Sequence, residues 1–420
     1  MKVRDKVVRA AAVLLTAALA VGIYSRTSSP PVSSALYAQP AKKFFVFDAH
    51  MHPTSSAYHR GGDIGVPGPD PRFTIPTALQ GGLGAAFFNT SVDEYYEVNH
   101  IAVKDALKQF DHFYRQIAMF PKDIGVATDA DQVRALQKQG KIAAILAVEG
   151  ALAVEGDLGV LRMFHRLGVR EMNLVHLLEN SIGDVGFSTR NNGKGSGLTE
   201  YGRRLVAEMN RLGIMIDLSH TAEQTILDVI EASTQPVVTT HSGVRAVVKA
   251  PGQWSDEMIR ALVKKGGVFC VPLLPMIVGQ AYQDKYHAGR PRGSGLVGFD
   301  SLVYTGDPSK IYDDIEELRA HAEQERGARA EERRKDLPSI SDWVKSVDYV
   351  VKLVGADYVG LSTDIGGYPV NLKGMETTAD YQNVAQALLL HGYSESDVAK
   401  IMGGNMLRVF DQVVRTAPVR

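Results

Sequence analysis

The sequence has a single cysteine, Cys270, among its 420 residues. One thiol excludes an intrachain disulfide framework and any cysteine-rich zinc site, so a bound metal would have to be held by histidines and carboxylates. An excess of charge of one sign is also lacking. The formal net charge is −1, which argues against a nucleic acid as the main partner. With 45% hydrophobic and 22% charged residues, the composition is that of a globular protein with one large barrel or two smaller domains.

Residues 1–40 have the pattern of a targeting segment. Basic side chains between residues 2 and 9 precede the apolar run 10–24, which is short for a membrane-spanning helix but long enough for an uncleaved anchor. No cysteine follows this run, which excludes a lipoprotein anchor there. We therefore expect residues 1–40 to be a signal peptide or membrane anchor with a linker. The protein would then be exported, to the periplasm or the cell exterior, with residues 41–415 forming the folded domain.

The remainder of the chain contains eight short apolar runs, most of them separated by helical patterns. The runs are 44–47, 84–91, 142–148, 169–175, 214–218, 237–240, 267–272 and 358–363. The helical patterns cover 92–119, 158–167, 197–212, 222–232, 256–265, 378–391 and 394–410. Strands that alternate with helices predict an α/β fold, a parallel (β/α)8 barrel of the TIM type.

Two segments interrupt this alternation. Residues 54–77 are rich in glycine and proline, which predicts an irregular loop over the end of the first strand. Residues 280–336 combine a Gly/Pro/Arg-rich part with a charged, alanine-rich part, which predicts a solvated helical excursion between the seventh and eighth strands. Its position suits a lid or an interface, for instance in a homodimer. A surface excursion without a role is the alternative.

Seven residues able to bind a metal or move a proton close or follow the apolar runs. They are His50, His52, Glu149, His176, His220, His241 and Asp364. Parallel barrel strands present their carboxyl ends to one face, so these side chains should converge on one mouth. Taken singly, each has a structural alternative as a hydrogen-bonded histidine or a capping carboxylate. Their shared position at strand ends favours a functional site.

Four of the histidines and Glu149 exceed what one catalytic zinc needs, because such an ion takes three protein ligands and keeps an open position. Two zinc ions bridged by Glu149, roughly 3.5–4 Å apart, would use all five and hold a hydroxide between them. The predicted ligands are His50, His52, Glu149, His220 and His241. Asp364 would take the proton of the water and pass it to a leaving amine, and His176 would donate to the oxyanion. This set predicts hydrolysis of an amide or ester.

Several motifs resemble the membrane (renal-type) dipeptidase family, a branch of the amidohydrolase-like zinc metallopeptidases. They are DAHMHP at 48–53, AVEG at 147–150, GVREMNLVH at 168–176, the run 197–220, VVTTHSG at 237–243 and DYVGLSTDIGG at 357–367. The resemblance implies a zinc-dependent dipeptidase, often tolerant of a D-residue at the second position. It also implies that the residues matching His50, Glu149, His220 and His241 bind two zinc ions. The residue matching His176 would contact the substrate, and the one matching Asp364 would lie beside the bridging water.

The sequence departs from the family pattern at two places. The family usually reads His-x-Asp at the first strand, whereas this chain reads His50-Met51-His52. An imidazole in place of a carboxylate adds about one positive charge to the site, which should lower the pKa of a bound water. The family also carries an Arg-Asn pair in the loop after the histidine that matches His241, where this chain has Gly252-Gln253. Because that arginine binds the free carboxylate of the dipeptide, we expect this anchor to be missing, with 290–292 as an alternative source of a basic group.

Three functions therefore stay open. The first is an exported dizinc hydrolase of dipeptides or of carboxyl-blocked derivatives. The second is a hydrolase of a lactone, an ester or a cyclic amide on the same site. The third is a non-hydrolytic family member that acts in binding or maturation. In the first two, the partner is a small molecule.

Overall fold

Nine parallel strands form one sheet in the computed structural model, which describes residues 43–92, 96, 98–188, 190–287, 306, 310, 311, 317 and 330–415. They are β1 (Val46–Met51), β2 (Leu83–Ser91), β3 (Ile124–Val126), β4 (Ile142–Glu149), β5 (Glu171–Asn173), β6 (Met215–Asp217), β7 (Val238–Thr239), β8 (Val268–Pro272) and β9 (Val359–Ser362). Eight of them pair in the order β1-β2-β4-β5-β6-β7-β8-β9, and β3 pairs with β4 beside this path. The predicted eight-stranded α/β barrel is confirmed, and it is nearly closed.

Helices follow the strands along the chain. The α-helices of the described residues are Pro53–Arg60, Ile75–Gly81, Ala102–Met119, Ala130–Lys138, Leu158–Arg166, Glu200–Leu212, Glu223–Ala232, Asp256–Lys264, Pro275–Val278, Gln280–Tyr286, Ile340–Val354, Tyr381–His391, Glu395–Ala399 and Asn405–Arg415. Short 3-10 segments lie at Ala151–Val154, Arg190–Gly193, Arg334–Asp336, Ala356–Tyr358 and Thr378–Asp380. Within the described part of the chain, a helix with the length and apolarity needed to cross a bilayer is not found.

The barrel interior is filled by apolar side chains and closed by a helix. Small residues of β4 and aromatic residues of β1 and β2 form one buried cluster with the helix Asn405–Arg415. In this cluster the ring of Phe410 lies 6.3 Å from that of Phe47 and 5.8 Å from that of Phe87. Because both faces of the strands are covered, the strands are apolar along their length, which is why they appear as uninterrupted runs in the sequence.

The structure differs from the sequence prediction at both ends of the segment 54–77. The predicted irregular loop is wrong there, since Pro53–Arg60 and Ile75–Gly81 are helices. Each has a proline in its first two positions, where proline begins a helix instead of breaking one. The second helix is also capped by Thr74, whose hydroxyl accepts from the backbone N–H of Thr77.

Other differences concern short or interrupted elements. The strand β3 and the helix Ala130–Lys138 were not predicted. The strand has three residues, which are too few to show a pattern. The predicted helix 394–410 is interrupted by a π-turn at Lys400–Gly404 and extends to Arg415. The segment 1–40 and most of the charged excursion lie outside the described residues, so those predictions stay predictions.

Asp48 connects the first strand to the last. Its carboxylate accepts hydrogen bonds from the Thr363 backbone N–H at 3.1 Å, the Thr363 hydroxyl at 2.6 Å and the Tyr381 hydroxyl at 2.5 Å. A fourth bond comes from the backbone N–H of His50 at 2.9 Å. Burial raises the pKa of this carboxyl, and the four hydrogen bonds act against that shift. Asp48 thereby holds the carboxyl ends of β1 and β9 together.

We expect Asp48→Ala to lower the free energy of unfolding by about 3 kcal/mol or more, because two backbone N–H groups and two hydroxyls would lose their buried acceptor. Urea unfolding followed by circular dichroism measures this. The matched control is Tyr381→Phe, which removes one donor and should cost about 1 kcal/mol. Equal losses in the two variants would contradict a central role for Asp48.

Candidate metal centre

Five imidazoles surround the carboxylate of Glu149, the last residue of β4. The distances from an Nε2 atom to a Glu149 oxygen are 3.3 Å for His50, 3.5 Å for His52, 3.7 Å for His176, 3.2 Å for His220 and 3.6 Å for His241. Asp364 joins the group through His52, since its Oδ1 lies 3.5 Å from the His52 Nε2. The structure therefore brings all seven sequence-predicted residues together at the carboxyl ends of the strands.

The strands explain this convergence. His50 is on β1 and His52 follows it, so the two side chains leave the same side of the chain and their Nε2 atoms lie 3.0 Å apart. The remaining residues end β4 or follow β5, β6, β7 and β9. His220 and Asp364 have φ values of 65° and 52°, in the left-handed region that non-glycine residues rarely adopt. Backbone strain of this kind concentrates at functional sites, where the surrounding structure enforces it.

The donor set fits metal ions. Three overlapping groups have ligand atoms within 4.8 Å of one another: His50, Glu149 and His241; His50, His52 and Asp364; and Glu149, His176 and His220. The Nε2 atoms of His220 and His241 lie 2.7 Å apart. Two neutral imidazoles facing each other can share only one proton, whereas a cation between the rings would accept both lone pairs. Imidazole nitrogens and a carboxylate are the donors that zinc takes in catalytic sites.

The charges in the cluster are strongly coupled. Burial by itself would raise the pKa of Glu149, but His176, His50 and His52 hold it well below its usual range. Burial would also lower the pKa of His50, yet Glu149 raises it to about 8. The pKa of His241 is instead well below its ordinary value, because of burial and of the neighbouring His50 and His220. Glu149 is therefore ionised, and His241 is a neutral imidazole with a lone pair for a metal.

Residues that the sequence did not single out orient the imidazoles. The Asn89 amide lies 3.0 Å from Nδ1 of His50. The atom at this distance is the amide nitrogen, and the Asn89 Oδ1 has no described partner. Exchange of the two amide atoms would place an acceptor there, so that neutral His50 would keep its proton on Nδ1 and present a lone pair at Nε2. The Thr240 hydroxyl lies 2.8 Å from Nδ1 of His241 and donates to Asp217 at 2.6 Å. Like the predicted residues, Asn89 and Thr240 lie near the ends of strands. This position is the feature of the sequence from which they could have been found.

The two positions expected to lack a carboxylate anchor, Gly252 and Gln253, carry no positive charge. Gly252 has a φ of 78°, so a side chain introduced there would strain the backbone. The Gln253 side chain is buried and packs against the backbone of Gly243. Arg245, on the same loop, pairs with Glu223 at 2.8 Å. The alternative segment, 290–292, lies outside the described residues.

Comparisons with known proteins identify the family and agree with the fold. The sequence model of the membrane dipeptidase family, peptidase family M19, matches residues 39–419. The dipeptidase tcpJ of Claviceps purpurea (strain 20.1) is 28% identical over 342 residues, which cover 80% of this chain and 68% of tcpJ. Among solved structures, the probable dipeptidase PvdM from Pseudomonas aeruginosa has a TM-score of 0.69 at 24% identity, covering 89% of this chain and 96% of PvdM. A Rhodobacter sphaeroides metallopeptidase, liganded with a phosphinate mimic of L-Ala-D-Ala, has a TM-score of 0.64 at 21% identity, covering 89% of this chain and all of its own.

A second carboxyl group, Glu171 on β5, lies inside the barrel. It is in register with Ala147 on β4 and Met215 on β6, both of which face the interior. Glu171 is 0% exposed, and neither of its oxygens has a hydrogen-bond partner among the described residues. Burial, with the charges of Asp217 and Glu149, raises its pKa well above the usual range. The sequence showed it only as one more residue of a strand.

We expect Glu171→Met to raise the free energy of unfolding of the metal-free protein by about 1–3 kcal/mol at pH 8, because a buried polar group without a partner is removed. The folded-state pKa of Glu171 lies above its unfolded value of about 4.3, so the wild type should lose stability relative to the variant as pH rises above that value. Urea unfolding between pH 4 and 8 tests this trend. Glu171→Gln, which removes only the ionisable group, should show the same pH dependence, and a gain independent of pH would contradict the assignment.

Proposed function

We propose, since the chain belongs to the membrane dipeptidase family, peptidase family M19, that it is a metal-dependent hydrolase that cleaves the amide bond of a dipeptide or dipeptide-like compound. The observation that supports this is the Glu149 carboxylate among five imidazoles, with Asp364 at the edge of the cluster. The relative tcpJ is a dipeptidase by name. A structural cluster of histidines would have no need of two strained residues at its rim.

We infer a cofactor of two divalent ions, zinc by the nature of the donors. The residues that would hold them are His50, His52, Glu149, His220 and His241, with Glu149 shared between the ions. When bound, the ions would supply a hydrolytic water of lowered pKa and polarise the substrate carbonyl. The neutral state of His241 and the ionised state of Glu149 suit both residues to this role.

Two residues are assigned to proton transfer and to the developing charge. Asp364 would accept a proton from the attacking water and deliver it to the amine of the leaving residue. His176 would donate from its imidazole to the carbonyl oxygen as that oxygen becomes negative. The side chains of these residues are 15% and 16% exposed, whereas that of His50 is 1% exposed. Four of the five proposed ligands thus lie deeper than the groups that meet the substrate, and the exception is His220, whose side chain is 23% exposed.

We also propose that the protein is exported. The support is the basic and apolar pattern of residues 1–40. Fractionation of cells that express the full chain tests this, and recovery of the protein with the cytoplasmic fraction alone would reject it.

The function itself is tested by screening zinc-loaded protein against dipeptides, their C-terminal amides, esters and lactones. Hydrolysis of the peptides or their amides supports the proposal. Hydrolysis of esters or lactones alone would show that the protein cleaves an ester bond and would reject the proposed cleavage of an amide bond. Binding of dipeptides without turnover in the metal-replete protein would favour a non-hydrolytic role.

We predict two divalent ions per chain, because the ligand groups overlap at His50 and Glu149. Elemental analysis after zinc loading and dialysis measures the stoichiometry. His241→Ala should reduce it, since this residue supplies a neutral imidazole to one group, whereas replacing the partly exposed His391 on a distant helix should not. A reproducible value of one or none in the wild type would reject the binuclear centre.

We expect Asp364→Asn to lower kcat by about two to four orders of magnitude, the range typical of a lost general base, and to leave the metal content nearly intact. The matched control is Asp357→Asn, which changes an exposed aspartate paired with Lys400 before β9. Steady-state kinetics with elemental analysis of the same samples separates proton transfer from metal loss. Unchanged turnover in metal-replete Asp364→Asn would assign the proton transfer to another group.

A further inference from the structure

The two described ends of the excursion between β8 and β9 meet at the mouth of the barrel. We call them the excursion base and define it as residues 280–287 and 330–336. The Lys285 ammonium lies 2.6 Å from the Asp336 carboxylate, and the Tyr286 hydroxyl donates to the same oxygen at 2.5 Å. The Tyr286 hydroxyl also lies 3.2 Å from the backbone oxygen of Glu332. These contacts fix the position of residue 333 relative to the barrel.

The excursion base contacts the loop that follows Asp364 through one side chain, Tyr368. The Tyr368 hydroxyl lies 2.9 Å from Nε2 of His287 and 3.4 Å from the hydroxyl of Tyr282. The Arg333 guanidinium lies over the Tyr368 ring, 5.5 Å from its centroid. A guanidinium on an aromatic face is held in place while its N–H groups remain available to a ligand.

The backbone of Tyr368 is also hydrogen-bonded to a residue of the candidate metal centre. Its backbone N–H donates to the Asp364 carbonyl at 3.1 Å. The intervening glycines pack directly against the centre: a Cβ on Gly367 would lie 2.1 Å from the Asp364 Oδ1, and one on Gly366 would lie 2.8 Å from the His52 Cβ. After the buried Ile365 and the two glycines, Tyr368 is the next side chain of this loop, and the Arg333 guanidinium lies over its ring.

Arg333 differs from other arginines in the loops at this face of the barrel. The others pair with carboxylates: Arg60 and Arg72 with Asp70, Arg190 with Glu179 and Asp184, and Arg245 with Glu223. Arg333 is half-buried, yet none of the described carboxylates forms an ion pair with it. A cation partly removed from water is unfavourable unless an anion pairs with it, and an anionic ligand would supply the partner that the described residues do not.

We propose that Arg333, held on Tyr368, binds the C-terminal carboxylate of the substrate. The assignment rests on the proposed function and names the group that recognises the free acid. The C-terminal carboxylate of a dipeptide lies one residue, roughly 3.5 Å of chain, beyond the scissile carbonyl. Arg333 lies on Tyr368, whose backbone N–H is bonded to the carbonyl of the proton-transfer residue, and a cation on this loop suits that position. It also supplies a charge that Gly252 and Gln253 do not.

The test compares kcat/KM for Ala-Ala and its C-terminal amide in the wild type, Arg333→Gln and Arg334→Gln. Arg334 is the matched control, because it is exposed on the same turn and pairs with Glu331. The wild type should prefer the free acid, and Arg333→Gln should reduce this preference by about ten- to a hundredfold through a higher KM for the acid. The rate with the amide and the behaviour of Arg334→Gln should stay unchanged. Arg333→Lys, which keeps the charge without the planar donor pair, should retain part of the preference.

Three outcomes would overturn the assignment: an unchanged preference in Arg333→Gln, an equal effect in Arg334→Gln, or a wild type that prefers the amide. The amide of Ala-Glu provides a further arm. A rate for this amide that depends on Arg333 while that of Ala-Ala does not would assign the arginine to an acidic side chain and reject the C-terminal role.

A binding measurement separates this proposal from the proposed function. A phosphinate analogue of Ala-Ala and its C-terminal amide are titrated into the zinc-loaded wild type and Arg333→Gln by calorimetry. The wild type should bind the free-acid analogue about ten- to a hundredfold more tightly than Arg333→Gln does. If this difference is found but neither peptide is hydrolysed, the proposed hydrolysis is rejected and the role of Arg333 in binding the carboxylate is retained. Equal binding by the two proteins, or no binding of either analogue, rejects the anchor.

Discussion

The geometry of the site depends on the hydrogen bonds of one buried carboxylate, Asp48. It accepts from the backbone of His50 on β1 and from Thr363, the residue before Asp364, so one side chain sets the spacing between the two strands. The Asp364 N–H then donates to the His50 carbonyl at 2.9 Å. The innermost proposed ligand and the proposed proton-transfer residue are thus positioned by the contact that closes the barrel. The pairing of the first and last strands therefore also sets the positions of the residues proposed for the chemistry.

The charges at the mouth favour negative groups. Five imidazoles surround a single Glu149, and His52 is a histidine at the position where the family resemblance implies an aspartate. With two divalent ions the centre would be rich in positive charge. Glu149 raises the pKa of His50, whereas burial and the neighbouring rings lower that of His241, so these groups act strongly on one another. A cation-rich centre with an arginine beside it suits a substrate whose negative charge lies near the scissile bond.

Much of this could be predicted from the sequence, for definite reasons. A parallel barrel places the ends of all strands on one face, so residues such as His220 and His241 could be grouped without knowing any distance. The prolines at 53 and 76 were misleading, because the same residue that stops a strand also begins a helix. Glu171 gave no signal, since being buried without a partner is a property of the packed interior. The contact of Arg333 with Tyr368 joins residues 35 positions apart and depends on how the excursion folds back.

The helix Asn405–Arg415 has a consequence for the order in which the molecule can assemble. Its Phe410 lies against aromatic rings of β1 and β2, so the helix that closes the barrel interior follows the first strands by more than 300 residues. Contacts this distant along the chain slow folding, because the entropy of closing the loop must be overcome before the contact contributes. During synthesis, every proposed metal ligand would be present in the chain before the helix Asn405–Arg415 could pack against the first strands. The proposed metal centre would therefore form only in the folded molecule, and a chain exported before folding would acquire its ions on the far side of the membrane.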